Sequence, residues 1–438
     1  MSAAPSQSLW SATATAAPGF APLTGARRAE VAIIGAGYTG LSAALHLAAA
    51  GREVLVLEAK ALGERASGLN GGQVIPGLKT DPDGLEELFG PERGARLVAS
   101  VAAGPDLVFE LIERHRIACD AARTGWIQPA TSQAALAQLA ARVEQWRRRG
   151  AAVELLAARE VGLLTGSARY CGGLLDRRGG TVQPLSYVRG LATALARAGG
   201  HICVHSPAVH LRHAAREWHI ETPGGSVSAP AVIVATNAYS GALVGVLRRS
   251  IVTVPSFQVA TVPLTPSRRA GILPGGQAAS DTWHLLRYFR LDATGRFVLG
   301  ARGMFGRVPE PRSCRHHYRA VFEIYPQLAG VAFEFHWGGL VAMTPDHLPH
   351  LHELAPGLLA GLGYNGRGVA MATLMGRLLA QRTLGMSDAE LAFPVTPVRP
   401  ILFHRASRFA ARAAIQYLRA QDMLARGRDR LRGRAAWT

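Results

Sequence analysis

The chain has 438 residues, 48% of them hydrophobic and 18% charged, a globular balance that excludes wholesale disorder and coiled coil. No uncharged apolar run approaches the ~18–20 residues of a membrane span, so integral membrane association is not expected. The net charge of +18 comes from 48 basic residues of which only Lys60 and Lys79 are lysine; the arginines are scattered, which reads as coding bias and predicts no nucleic-acid partner.

Residues 1–27 are rich in Ser, Ala, Thr and Pro, without a basic start and an apolar stretch behind it, and read as a loose lead-in rather than a signal peptide. Cys119, Cys171, Cys203 and Cys314 form no C-x-x-C pair, which suits reduced cytoplasmic thiols better than disulfides or zinc.

The first motif with chemistry follows. An apolar strand from Val31 runs into Gly35-Ala-Gly37-Tyr38-Thr39-Gly40, a helix is predicted over 41–50, and a second strand, 53–58, closes on Glu58. Gly35 permits the tight turn, Gly37 lets the backbone approach a pyrophosphate, and Gly40 lets helix and strand pack closely. The helix start offers unpaired N–H groups to phosphates, and Glu58 is placed to accept from ribose hydroxyls and to repel a 2′-phosphate. This is a dinucleotide site.

Next comes a loop of small residues, Ala66, Ser67, Gly68, Leu69, Asn70, Gly71, Gly72 and Gln73, which lets something flat and bulky lie near the backbone. A helix is predicted over 184–199, and strands over 202–204 and 232–235, the latter ending in Ala235-Thr236-Asn237. Far downstream, Gly361-x-Gly363-Tyr364-Asn365-Gly366-Arg367-Gly368 again turns a strand into a helix, predicted over 369–381. No second strand ending in an acid follows it. One extended cofactor held by two helix N-termini fits better than two nucleotides.

These blocks, joined by 183–191, 287–290, 295–300, Trp337–Leu340 and Thr344–Asp346, span about residues 9–422 and resemble the FAD-dependent amine and amino-acid oxidoreductases of the D-amino-acid oxidase and glycine oxidase superfamily, above all its gamma-glutamylputrescine oxidase-like branch. The resemblance implies an α/β chain in which a glutathione-reductase-type Rossmann FAD-binding domain (28–88, 160–240 and 335–385) is interleaved with an α+β substrate domain on a mainly antiparallel sheet (89–159 and 241–334). A basic tail, 386–438, follows. It also implies that Val209 lies against the adenine and pairs with it, that Ala235 and Thr236 border the cofactor, and that Gly339, Gly363, Asn365, Gly366, Arg367 and Gly368 lie near the flavin ring. Tyr288, His336, Trp337 and Arg367 are the implied catalytic candidates. The implied reaction takes a hydride equivalent from the carbon beside an amine to flavin N5, leaving an imine that water hydrolyses, with O2 or another carrier as acceptor.

Two departures bear on substrate and cofactor. Glycine and D-amino-acid oxidases have Arg, as a carboxylate clamp, where this chain has Val341; a small amine of polyamine or gamma-glutamyl type is therefore expected. Should an α-carboxylate be bound after all, Arg290 or Arg302 would have to hold it. Sarcosine oxidases attach flavin through a Cys where Gly339 stands, so FAD is expected to be non-covalent. Their oxygen-activating lysine has no expected counterpart, since Lys60 and Lys79 are both early in the chain. The His347/His350/His352 cluster has no metal spacing, and no metal is expected. A D-amino-acid dehydrogenase or oxidase, and a basic flavoprotein acting on RNA, are the alternatives.

Overall fold

In the computed structural model, which describes residues 7–404, 406, 409 and 412–422, the glycine-rich unit forms the centre of a six-stranded sheet. Its order is His350–Ala355, Leu358–Leu362, Ala231–Val234, Val31–Ile34, Val54–Leu57 and His201–Cys203. All neighbours are parallel except the first pair. Val31–Ile34 is apolar at every position because both faces are buried. Val31 and Ile33 point into the main core with the helices, whereas Ala32 and Ile34 point into a second core under a four-stranded sheet that carries Trp218, Ile220 and Val227.

Helix Tyr38–Ala49 starts three residues before the predicted boundary, directly at Gly37. It lies against helix Gly368–Thr383 so closely that a Cβ on Gly376 would stand 2.5 Å from the Thr39 carbonyl oxygen. Ser42 Oγ donates to the Thr373 carbonyl at 2.7 Å, joining the two helices.

The second body is an eight-stranded, mainly antiparallel sheet: Phe333–Met343, Val252–Thr261, Phe297–Arg302, Tyr288–Leu291, Ala278–Ser280, Trp126–Ala130, Gly172–Asp176 and Val153–Ala157. One pair, Ala278–Ser280 with Trp126–Ala130, is parallel. Two expected domain limits move as a result. Gly172–Asp176 lies in this sheet and not with the FAD segments, because it hydrogen-bonds to strands on both sides. Phe333–Met343 joins it too, paired along nearly its whole length with Val252–Thr261. Conversely, the start of the expected 89–159 segment forms helices Pro91–Ala102 and Gly104–Arg114, whose Leu97, Val101, Val108 and Leu111 belong to the core of helix Gly368–Thr383.

Within the described residues the lead-in is anchored at 8–13. Ser8 caps a short helix, Leu9–Thr13, and Leu9 and Trp10 are fully buried. Trp10 meets Trp337 edge-on at 5.6 Å, and its indole N–H donates to the Asn70 carbonyl at 2.7 Å. Gln183 returns a hydrogen bond to the Trp10 carbonyl at 2.8 Å. Two large apolar side chains supply the burial that composition alone hid. Of the basic tail, the part after residue 422 lies outside the described residues. No helix among the described residues is long and apolar enough to cross a membrane.

Candidate functional site

Two cavities lie at the junction of the sheets. The first, of about 1030 Å³, runs from Gly35, Gly37, Tyr38 and Thr39 past Glu58, Ala66, Ser67 and Val209 to Ala235 and Thr236. The second, of about 510 Å³, lies over the face of the large sheet. Ala66, Asn70, Asn237, Leu340, Tyr364 and Gly368 line both, so the two open on one another.

In the first cavity Gly35 makes the tight turn and Gly40 the close packing of helix on strand. Gly35 has φ +107°, and a Cβ there would come within 3.1 Å of the Ala235 carbonyl. A Cβ on Gly40 would stand 1.9 Å from the Gly35 carbonyl oxygen, so the helix seats directly on the turn. At Gly37 the nearest atom would be Ser67 Oγ, 2.8 Å away. The helix has no side-chain cap at Gly37, which leaves first-turn donors for an anion. Glu58 accepts from the N–H of Ala36 at 2.9 Å and of Lys60 at 3.0 Å, and burial raises its pKa. Its oxygens keep lone pairs for ribose hydroxyls. Thr39 and Tyr364 share a hydroxyl hydrogen bond of 2.6 Å across the two helix starts. Val209 lines the wall, but its N–H is given to the Glu221 carbonyl at 2.8 Å, so adenine cannot be paired through that donor.

The loop at 66–73 contains a short helix, Ala66–Leu69, and then ties the two sheets together through Gln73. Asn70 is the organiser: its amide donates to the carbonyls of Ala66 and Ser67 and to the Tyr38 hydroxyl, and its oxygen accepts from Gly72. Gly71 is required because a Cβ would meet the Tyr288 ring at 2.7 Å, and Gly72 because one would meet the Val182 carbonyl at 2.2 Å. Gln73 is tied into the large sheet, donating to the Ala279 and Phe289 carbonyls at 3.2 and 3.3 Å and accepting from Ser280 at 2.9 Å. Of these, Gly72 lines neither cavity; it shapes the loop.

In the second cavity the floor follows from strand period two. Val254, Ser256 and Gln258 on one strand lie beside Gly339, Val341 and Met343 on the next. Tyr288 is half-buried there with its hydroxyl 2.9 Å from Ser256 Oγ, and removal from solvent pushes its pKa up to about 12. The rim toward the first cavity comes from Asn365, Gly366, Arg367 and Gly368. Asn365 is buried with φ +51°, accepts from the Thr344 N–H at 3.0 Å and fixes the turn; Gly363 behind it, with φ +81°, has no room for a Cβ beside Thr344. Arg367 donates to the Pro76 carbonyl and lies 5.4 Å from the Trp126 ring. Burial first, then the charge of Arg142, lowers its pKa to about 9, so it stays cationic at neutral pH.

Two catalytic candidates are elsewhere. His336 lies on the sheet face opposite Val341, hydrogen-bonded to Tyr318 of helix Arg315–Ile324, because neighbouring strand residues point to opposite faces. Trp337 is on the cavity face but lies under Trp10, donating to the Leu69 carbonyl at 3.2 Å; it is core. Arg290 is likewise taken up, donating to the Gly72 and Val182 carbonyls at 2.8 Å. Lys79, by contrast, lines the second cavity, as do Arg142 and Arg302. The expectation that neither lysine reaches the site fails: the turn after Gln73 brings Lys79 back over the sheet. Its one signal in the sequence was rarity, a lysine in a chain that otherwise uses arginine.

A family model described as DAO, FAD dependent oxidoreductase, matches residues 30–382. The gamma-glutamylputrescine oxidoreductase of Escherichia coli (strain K12) is 33% identical over 94% of this chain and 97% of its own length. A probable oxidoreductase, OrdL, of Rhizobium meliloti (strain 1021) is 33% identical over 87% of this chain and 89% of its own. Among solved structures, glycine oxidase from Geobacillus kaustophilus covers 86% of this chain and 100% of its own at TM-score 0.70 and 24% identity, a likeness of fold.

Proposed function

The chain belongs to the DAO family of FAD-dependent oxidoreductases, and from that premise we propose that it oxidises the C–N bond of a small amine, of polyamine or gamma-glutamyl-amine type, to an imine. The first cavity suits FAD on its own evidence: a glycine cradle that Cβ atoms would fill, an uncapped helix start, a carboxylate at the end of the second strand, and an opening into a second chamber. Gly35, Gly37, Glu58, Ala66 and Ser67 would hold the nucleotide portion, and Gly366–Gly368 the ring end. When bound, FAD supplies the hydride acceptor. The chain's part is to hold the amine carbon over the ring, exclude water and place positive potential at the ring's far edge. The N-terminus of helix Gly368–Thr383, uncapped by a side chain, and the Arg367 cation serve the last purpose. Tyr288 and Ser256 form a hydroxyl pair on the cavity floor that orients a polar substrate group.

The observation that carries the substrate reading is Val341, an apolar side chain on the cavity face where amino-acid oxidases have their carboxylate clamp. A carboxylate held against it would be unpaired, costing several kcal/mol, or roughly two decades in rate constant. Anaerobic bleaching of the flavin by a panel of gamma-glutamyl amines and polyamines should therefore exceed that by glycine or D-alanine by about a hundredfold for the best amine. Val341→Arg should narrow the gap. Glycine or D-alanine matching every amine in the wild type would defeat the reading and leave the flavoprotein intact.

FAD is held without a covalent bond in this reading, because Gly339 offers no thiol; the nearest atoms to its Cβ position are Leu69 Cβ at 3.5 Å and the Tyr239 hydroxyl at 3.7 Å. Acid or heat should release about one yellow FAD per chain into the supernatant. Flavin remaining on the denatured polypeptide after gel filtration would contradict this.

A further inference from the structure

The second cavity has an unusual charge balance. Among the described residues that line it there is no Asp or Glu, yet Lys79, Arg142, Arg302 and Arg367 all reach it. Two of these cations are accounted for. Arg142 is ion-paired with Asp81 and donates to Gln128 at 2.8 Å. Arg367 donates to Pro76 and faces the Trp126 ring. The side chains of Lys79 and Arg302 have no hydrogen-bond or ion-pair partner among the described residues, and both residues line the cavity.

We infer that Lys79 and Arg302 form a recognition site for a carboxylate carried at the far end of the amine substrate, and that the protein selects such amines over free diamines and polyamines. The inference rests on the amine reading above and narrows it. Geometry separates this site from the one where an α-carboxylate would lie. Arg302 is registered with Ser256, and Ser256 with Gly339, so Arg302 stands two strand spacings, about 10 Å, from the strand that bears Val341. An acid bound there is remote from the reacting carbon, and the apolar patch at Val254 and Val341 is left to the chain between. Two neighbouring like charges with nothing anionic between them are unfavourable until an anion arrives. Enclosure in the protein, followed by the charges of Arg367 and Arg302, already brings the Lys79 pKa down to about 8, the direction expected of a cation waiting for a partner. Arg supplies a planar fork for carboxylate oxygens and Lys a point charge beside it. A substrate cationic at both ends would find no counter-charge in the chamber.

The test uses the flavin-loaded full chain and matched probes. Anaerobic flavin reduction is compared for 5-aminopentanoate, 6-aminohexanoate and gamma-glutamylputrescine against 1,4-diaminobutane and 1,5-diaminopentane, in the wild type and in Lys79→Met, Arg302→Gln and Arg302→Lys. Glutarate binding is followed in parallel by calorimetry. The expected result is at least a tenfold lower apparent Kd for the best carboxylate-bearing amine than for the best diamine. Lys79→Met and Arg302→Gln should each shrink that preference to threefold or less, and Arg302→Lys should restore part of it. Glutarate should bind the wild type and lose at least tenfold in affinity in both neutral variants. If diamines bind as well as the acids, or if the variants lose both kinds of amine alike, the site is overturned while the amine reading stands. If glutarate binding depends on both cations but no amine bleaches the flavin, the anion site stands and the amine reading falls.

Discussion

Gly40→Ala is expected to yield protein that is insoluble or carries less than about a tenth of its normal flavin. The added methyl would stand 1.9 Å from the Gly35 carbonyl oxygen, a backbone atom that cannot swing aside. Ordinary contact needs more than 1 Å of extra separation at a point where the first turns of the helix and strand Val31–Ile34 are buried. Overpacking of this kind costs typically about 1–3 kcal/mol even where neighbours can relax, and here the relaxation would open the turn that holds the pyrophosphate. Gly37→Ala is the matched control: its methyl meets Ser67 Oγ at 2.8 Å, a side chain with rotamers to spare. That variant should fold and bind FAD more weakly. Flavin content by absorbance after gel filtration separates the two, and a fully loaded Gly40→Ala protein would refute the packing argument.

Trp10→Ala should destabilise the protein by about 3–5 kcal/mol, the usual range for removing a fully buried aromatic side chain. The loss reaches the cofactor, because the Trp10 indole fixes the Asn70 carbonyl and Asn70 organises the loop between the two cavities. Thermal unfolding followed by flavin fluorescence should show both a lower midpoint and earlier FAD release than in the wild type. Trp10→Phe, which keeps the packing and loses the hydrogen bond, should fall between them. An unchanged midpoint in Trp10→Ala would mean that residues 8–13 are dispensable.

Local chemistry was legible in the sequence where one short segment contains its own explanation. Strand, glycines, helix and terminal acid lie within 31–58, and the turn is closed by its own glycines, as Gly40 on Gly35 shows, so spacing alone defined the turn and Glu58. The floor of the second cavity was not legible in that way. It is assembled from Ser256, Tyr288, Arg302 and Val341, which meet only through sheet register across segments far apart in the chain. His336 was misjudged for the same reason: adjacency to Trp337 in a motif says nothing about which face of a strand it occupies. Lys79 was dismissed on its position in the chain, a poor guide in a fold that returns to the same chamber from several segments. The helix at Leu9 was missed because five residues give periodicity no room, and its stability comes from what it touches.

The three hydrogen bonds of Gln73 also bear on traffic through the enzyme. They join the cofactor loop to the middle of the large sheet within buried surroundings, where each broken bond leaves a polar group stranded at about 1–3 kcal/mol. Parting the two sheets like a clamshell is therefore an expensive way to admit a ligand. The segment of Trp283, His284, Leu285 and Leu286 lines the second cavity independently of these bonds; there the Asp422 carboxylate accepts from the backbone N–H groups of His284 and Leu285.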